Sequence, residues 1–252
     1  MKVSPKPAMQ TAFSVRRKTL IVDLGSLRSV LSSAPRAGGI TRARYILNHQ
    51  VANNPIGKDN CGIDPGMNCA DPSRALSKLA ISLGIRDKFV GLMTAVSLAD
   101  LVAIRAASDH IWVEGFVTVG TANAVRAGEP AVSRQLTSGR PHPGTINMIL
   151  VTNARLSASA MVGMVQVATE AKTAVLLHAK VKSWTGRSSA TGTGTDAVVV
   201  VSGSGPPMRY SGTHTIIGEL VGRVIETAVT EGLVCYARRQ APPKARNRAK
   251  SL

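Results

Sequence analysis

Two polar, glycine-rich blocks hold the residue types that acyl or proton-transfer chemistry needs. The first is TGTGTDA, Thr191 to Ala197. Gly192 and Gly194 let the backbone curl, so that its N–H groups can converge on an acceptor. Thr191, Thr193 and Thr195 add hydroxyls, and Asp196 adds a carboxylate at the entry to the apolar run AVVVV. No Gly-Lys-Ser/Thr follows, so this is not a P-loop, and the GxGxxG dinucleotide fingerprint is missing. On pattern alone, a sharp loop-to-strand turn explains the block as well as a ligand loop does. The second block is GTHTIIGE. It sets Thr213 and His214 at the start of a helix, where free N–H groups and the dipole favour a developing oxyanion. Histidine titrates near neutrality and serves as general base or acid. Plain N-capping by Thr213 or Thr215 is the competing explanation. Glu219 lies one turn into that helix, where it can orient His214 or pair with Arg223 four residues on.

Other candidates lie at predicted strand ends, where site residues often collect. His49 ends the run LNHQV. Asn123 and Arg126, in VGTANAVRAG, can orient a polar ligand. In HPGTIN, Gly144-Thr145 begins a strand, and Asn147 shares a face with Thr145 by the period of two. His110, His142 and His178 read as structural, in a turn, a proline-rich loop and a helix terminus. Glu170 and Lys172 sit in the middle of a predicted helix and read as solvent-exposed. The three cysteines, Cys61, Cys69 and Cys235, have no regular spacing, which argues against a disulfide scaffold. Asp59, Asp64 and Asp71 lie near Cys61 and Cys69, but the spacing is not that of a zinc site, and a surface loop is the preferred reading. No metal site is expected.

The elements that must position these groups follow from periodicity. Strands are predicted at Thr19–Leu24 and Arg28–Ser32, broken at Gly25-Ser26, and near Ala43–Val51. Further strands are predicted at Phe89–Ala95, Leu101–Ala106, Ile111–Val119, Thr145–Thr152 and Ala197–Ser202. Helices are predicted from Asp71 or Ser73 to Leu83, from Ser157 to about Lys180, and from Thr215 to about Tyr236. Glycine-rich loops cover 120–143 and 183–196. Strands occur both as neighbours and separated by helices. The expected class is α+β: one domain with a mixed or largely antiparallel sheet covered by two long helices and a shorter one.

Charge sets limits on partners. The net charge of +17 resembles a nucleic-acid signal. Its distribution weakens that reading, because residues 1–44 carry +8 and residues 236–252 carry +6, leaving +3 between them. Residues 1–14 read as a flexible arm, 15–236 as the folded domain and 237–252 as a disordered basic tail. Aromatics are 3% of the chain, too few for base stacking on a sheet. Nucleic acid is therefore not an expected partner. No secretory signal and no run of about 18 apolar residues stands out, so a cytoplasmic protein without a membrane span is expected.

In order, eight blocks resemble adenosylcobinamide amidohydrolases of corrinoid salvage. They are RSVLSSAPRAGG, ARYILNHQV, VGLMTAV, VTVGTANAVRAG, GTINMILVTNARLS, ATEAKTAVLL, TGTGTDAVVV and YSGTHTIIGELVGR, spanning about residues 15–235. The resemblance implies hydrolysis of the amide joining the aminopropanol arm to the corrin ring, giving adenosylcobyric acid. It implies a corrinoid partner, a substrate that itself carries cobalt, and no cofactor is identified from the sequence. A homo-oligomer is compatible with it.

Amide hydrolysis needs a nucleophile, an oxyanion pocket and an acid for the leaving amine. In one version His214 or His49 activates water, Asp196 or Glu219 orients it, and amides of the 191–195 loop or of the last helix hold the oxyanion. In a second, Thr145 or Thr213 is the nucleophile, freed by self-cleavage after Gly144 or Gly212. A metal version has no clear ligand set. A non-catalytic corrinoid binder, and more remotely a basic nucleic-acid binder, are the alternatives to an enzyme.

Overall fold

Valine-rich runs of period two become strands with two different faces, and the two faces build two different cores. The computed structural model describes residues 8–51, 71–130 and 144–241. The chain begins with β1 (Ala12–Arg16), β2 (Thr19–Ser32) and β3 (Gly39–Gln50), then α1 (Pro72–Ser82) and β4 (Phe89–Thr94). Strands β5 (Val102–Ser108), β6 (Ile111–Val119), β7 (Ala124–Val125), β8 (Ile146–Thr152) and β9 (Arg155–Leu156) follow. The long helix α2 (Ala158–His178), the strands β10 (Gly192–Thr193), β11 (Ala197–Val201) and β12 (Pro207–Met208), and α3 (Ile216–Gln240) complete it.

The main sheet runs β4-β3-β2-β11-β8-β6-β5, with β1 on β2. Among the described residues, only β3 with β4 and β8 with β11 pair in parallel within it. This is the expected α+β class, with a mixed and mainly antiparallel sheet. The predicted break at Gly25-Ser26 is a bulge inside one long strand. Residues 19–23 pair with 45–49 and residues 28–32 with 39–43, leaving Leu24 to Leu27 outside the register. Gly25 has φ +73°, open to glycine at no steric cost, and its N–H bonds the Asp23 carboxylate at 2.9 Å.

That bulge folds the sheet over on itself. Beyond the bend, β2 joins β11; before it, the edge of β2 is taken by β1. Leu20, Val22, Ile46, Val90 and Leu92 then pack against Phe116, Ile149, Val151 and Val199 between the two halves. The alternate residues of the second half, such as Val117, Met148, Leu150 and Val200, face α2 and α3. On the other side Ile21 and Leu47 face Ala80 and Ile85 of the α1 region. The result is four layers, helix, sheet, sheet and helices. Each fully buried side chain contributes roughly 1.5–3 kcal/mol.

The helix starts follow their caps. Asp71 accepts from the N–H of Arg74, Ser157 from that of Ala160 and Thr215 from that of Gly218. Helix α3 lies so close on β6 that a Cβ on Gly115 would overlap the side chain of Val224. Helix α2 is long and apolar enough to cross a bilayer by length and composition, yet Met161, Met164, Ala168 and Leu176 face the core.

Three local features differ from expectation. Ala12–Arg16 is a strand, within what reads as arm and domain edge, joined to β2 by Arg17 and Lys18 at φ +47° and +56°. Two left-handed residues make a tight hairpin turn, and Arg-Lys carries none of its usual Asn-Gly signal. Helix α3 continues through Gln240, into the segment read as tail. The two long loops pair with each other through β7 and β10. The Cys61/Cys69 loop with Asp59 and Asp64, His142 and residues 242–252 lie outside the described residues.

Candidate active site

Strands β8 and β11 run in parallel, so their first residues lie side by side at one end of the molecule. Asp196, just ahead of β11, is the hub there. Its Oδ1 accepts from the Thr193 hydroxyl at 2.5 Å and from the backbone N–H of Ile146 at 3.1 Å. Its Oδ2 meets Lys172 Nζ at 2.5 Å. The lysine comes from the C-terminal half of α2, and the side chains of the pair are 7% and 14% exposed. Gly192 leaves room for this pair, since a Cβ there would come 2.5 Å from Asp196 Oδ2 and 2.8 Å from Lys172 Nζ and would push the two side-chain ends aside.

Thr145, just ahead of β8, joins this hub to the space between the sheet layers. Its hydroxyl donates to the Thr195 carbonyl at 2.8 Å and to Asn147 Oδ1 at 3.2 Å. The Thr195 hydroxyl in turn donates to the Gly144 carbonyl at 3.0 Å. Asn147 Nδ2 donates to Asn48 Oδ1 and to the Met93 carbonyl, and Asn48 Nδ2 to the Thr118 hydroxyl. Asn48, Thr118, Thr145 and Asn147 are all buried. Burying so many polar groups is tolerable only when they satisfy one another, and such networks fix one geometry. Gly194 and Thr195 form the exposed edge of the cluster.

Asn123 lies beside it. The residue is 6% exposed, and its Oδ1 has no hydrogen-bond partner among the described residues. That oxygen faces Gly144, where a Cβ would come within 2.6 Å of it. A buried amide oxygen left unpaired is costly unless a donor arrives.

The remaining candidates divide by place. Thr191 belongs to the same loop, its hydroxyl accepting from the N–H of Ala127 and its carbonyl from Thr173. Arg126 is exposed and ties the segment after β7 to the Thr191 loop by donating to the Ser189 carbonyl. His49 lies on the opposite face of β3 from Asn48. It is buried, its Nδ1 is 2.9 Å from the Thr19 hydroxyl, and its Nε2 is without a partner among the described residues. Burial, reinforced by the Lys18 charge, pushes its pKa down to about 4.

Thr213, His214 and Glu219 are not brought to the Asp196 hub. They belong to the opposite end of β11, where Ser211 bonds the first turn of α2. A five-residue strand at about 3.3 Å per residue separates its two flanking loops by roughly 16 Å. Asp196 and His214 thus stand at opposite ends of β11. Glu219 instead pairs with Arg223 at 3.0 Å on the surface, and Thr213 and His214 are exposed.

Lys172 is one of the residues that the sequence reading missed, with Asn48 and Thr118, since mid-helix solvent exposure was expected for it. The signal was present: Met164, Ala168, Lys172 and Leu176 recur every four residues, and all four are buried. A lysine on an apolar stripe needs a partner.

Comparison with known proteins gives the family context. The sequence profile described as adenosylcobinamide amidohydrolase matches residues 4–241. An uncharacterized protein of Methanocaldococcus jannaschii is 31% identical over 232 residues, 86% of each chain. The adenosylcobinamide amidohydrolase of Methanosarcina mazei is 30% identical over 231 residues, 88% of this chain and 96% of that one. Among solved structures, a Pyrococcus horikoshii protein superposes with a TM-score of 0.46 at 10% identity, covering 92% of this chain and 82% of that one.

Proposed function

The chain belongs to the adenosylcobinamide amidohydrolase family, and from that premise we propose that it hydrolyses the amide between the aminopropanol arm and the corrin ring of adenosylcobinamide. The products are adenosylcobyric acid and aminopropanol, so the enzyme returns scavenged corrinoid to cobalamin synthesis. In this proposal the reaction runs at the Thr145–Asp196–Lys172 cluster. The observation that carries this is a buried threonine hydroxyl beside an ion pair and a buried amide, with one exposed edge at Gly194 and Thr195.

In this reading the Thr145 hydroxyl is the nucleophile. Held by the Thr195 carbonyl and Asn147 Oδ1, it is already aimed. The amide of Asn123 orients the scissile group. Lys172 and Asp196 hold the 191–196 loop against the start of β8, since Asp196 also takes the Ile146 N–H. Thr145 Oγ adds to the amide carbon and its proton passes to the amide nitrogen, so that the tetrahedral intermediate collapses to an ester on Thr145 and free aminopropanol; water then hydrolyses the ester, giving adenosylcobyric acid and restoring the hydroxyl.

The test is incubation with adenosylcobinamide and chromatographic detection of both products. Wild type is expected to release aminopropanol one-for-one with adenosylcobyric acid. Thr145→Ala is expected to lose turnover while still binding corrinoid. Tight corrinoid binding by wild type with no aminopropanol released would support a carrier instead and sink this proposal.

A further inference from the structure

We propose that the protein cleaves its own Gly144–Thr145 peptide bond, so that the working enzyme is two chains and its nucleophile is an N-terminal threonine. This rests on the assignment of Thr145 as the nucleophile above.

Four observations around this one bond carry the inference. First, the bond is pinned on both sides. The Gly144 carbonyl accepts from the Thr195 hydroxyl at 3.0 Å, and the Thr145 carbonyl accepts from the N–H of Gly120 at 2.9 Å. Second, the Thr195 hydroxyl sits on the oxygen that would become an oxyanion if the Gly144 carbonyl were attacked. Third, the acyl residue must be glycine. A Cβ on Gly144 would come 2.6 Å from Asn123 Oδ1, 2.8 Å from the nitrogen of Ala122 and 2.9 Å from the Gly120 carbonyl, and two of those atoms are backbone. Fourth, Asn123 Oδ1 is a buried acceptor without a donor among the described residues, and it faces this peptide. An intact peptide offers one N–H at Thr145. A freed α-amine brings up to three hydrogens to the same place, and one of them can meet the unpaired oxygen.

The chemistry balances with water alone. The Thr145 Oγ adds to the Gly144 carbonyl carbon, and its proton passes to the Thr145 nitrogen. The C–N bond breaks, leaving Gly144 as an ester on Thr145 Oγ and a free α-amine on Thr145. Water hydrolyses that ester, giving a Gly144 carboxylate and restoring the hydroxyl. The α-amine then stands next to its own hydroxyl, where it can take the hydroxyl proton during attack on a substrate amide. No base from another element is required, and none of the histidines is.

Denaturing intact-mass analysis of the purified full-length protein, with N-terminal sequencing, tests this without any corrinoid. Wild type is expected to give two chains, 1–144 and 145–252, the second beginning at Thr145. Thr145→Ala is expected to stay whole, and Thr145→Ser to cleave. Thr195→Val removes the donor on the Gly144 carbonyl and should slow cleavage by about 10²-fold, the usual loss of one oxyanion donor. Circular dichroism shows that each variant has folded. A single uncut wild-type chain overturns the inference, as does a Thr145→Ala protein cut at the same place. An uncut chain that hydrolyses adenosylcobinamide leaves the proposed function standing and removes only self-cleavage. A chain cut at Thr145 that leaves adenosylcobinamide intact does the reverse.

Discussion

Replacing Lys172 with methionine keeps the unbranched stem and removes only the charge. In the folded protein that charge meets Asp196 at 2.5 Å, with both side chains largely out of water. Removing one partner of a buried pair costs about 3–5 kcal/mol, because the other charge stays behind. Asp196 keeps two further donors, the Thr193 hydroxyl and the Ile146 N–H, each of which offsets part of that cost. The expected loss is therefore at the low end, about 3 kcal/mol. For a domain of this size, that corresponds to a drop in Tm of roughly 6–12 °C. The assay is urea denaturation of wild type, Lys172→Met, Asp196→Asn and the double variant. The double variant should cost less than the sum of the single ones by at least about 1 kcal/mol, since the two side chains touch. A Lys172→Met protein within about 0.5 kcal/mol of wild type, with additive single and double variants, would refute a buried pair at this site.

Four further outcomes are expected. The folded chain resists protonating His49 until about pH 4, while the unfolded chain takes that proton near 6.5. Stability should therefore fall by up to about 3 kcal/mol as pH drops through that window, at 1.36 kcal/mol per pH unit. Comparing urea midpoints across pH checks this, and a His49→Gln profile that superimposes on wild type would refute it. Gly115→Ala forces a methyl against Val224 and should lower stability by about 1–3 kcal/mol, read from the thermal midpoint. His214→Ala and Glu219→Gln change exposed groups at the far end of β11, and aminopropanol release should stay within about threefold of wild type, a difference of about 0.65 kcal/mol. Glu129 accepts from Ser183, Ser188 and Thr185, which together with the N–H of Arg126 hold its carboxyl down to about 2. Glu129→Gln should therefore loosen the 183–188 loop at neutral pH, seen as faster amide exchange there, with the difference closing as pH falls toward 2.

The order of elements was legible because strands and helices here differ in period and in length. β11 is an unbroken apolar run, β8 is apolar but for Asn147 and its final threonine, and the helices begin at residues that cap. The fold-over was not legible. It depends on a four-residue bulge at Leu24–Leu27, and sequence shows a glycine there without saying whether the chain ends a strand or bends one. The site was half legible. Asp196, Asn147 and the glycine loop stand out by type, and they converge. His214 stood out equally, yet the direction of β11 carries it away. Lys172 was hidden by the assumption that a mid-helix lysine faces water. Its stripe, Met164 to Leu176, contradicted that assumption from the start. Asn48 and Thr118 were hidden for another reason. Each meets its partner only after the sheet folds over, and no local pattern encodes that.

The place of β11 between β2 and β8 has a consequence for how the chain is made. Both neighbours precede it, and β8 ends 49 residues before β11 does. At about 5–20 residues per second, synthesis leaves the open edge of β8 waiting roughly 2–10 s for the strand that closes it, and the edge of β2 roughly 8–34 s. Those edges are rich in valine and leucine, the kind of surface that recruits other chains. Folding of the central sheet cannot finish before residue 201 is available. Thr195, which contacts the Gly144 carbonyl, arrives in the same late stretch. A step at the Gly144–Thr145 bond that uses the Thr195 hydroxyl must therefore wait for that stretch.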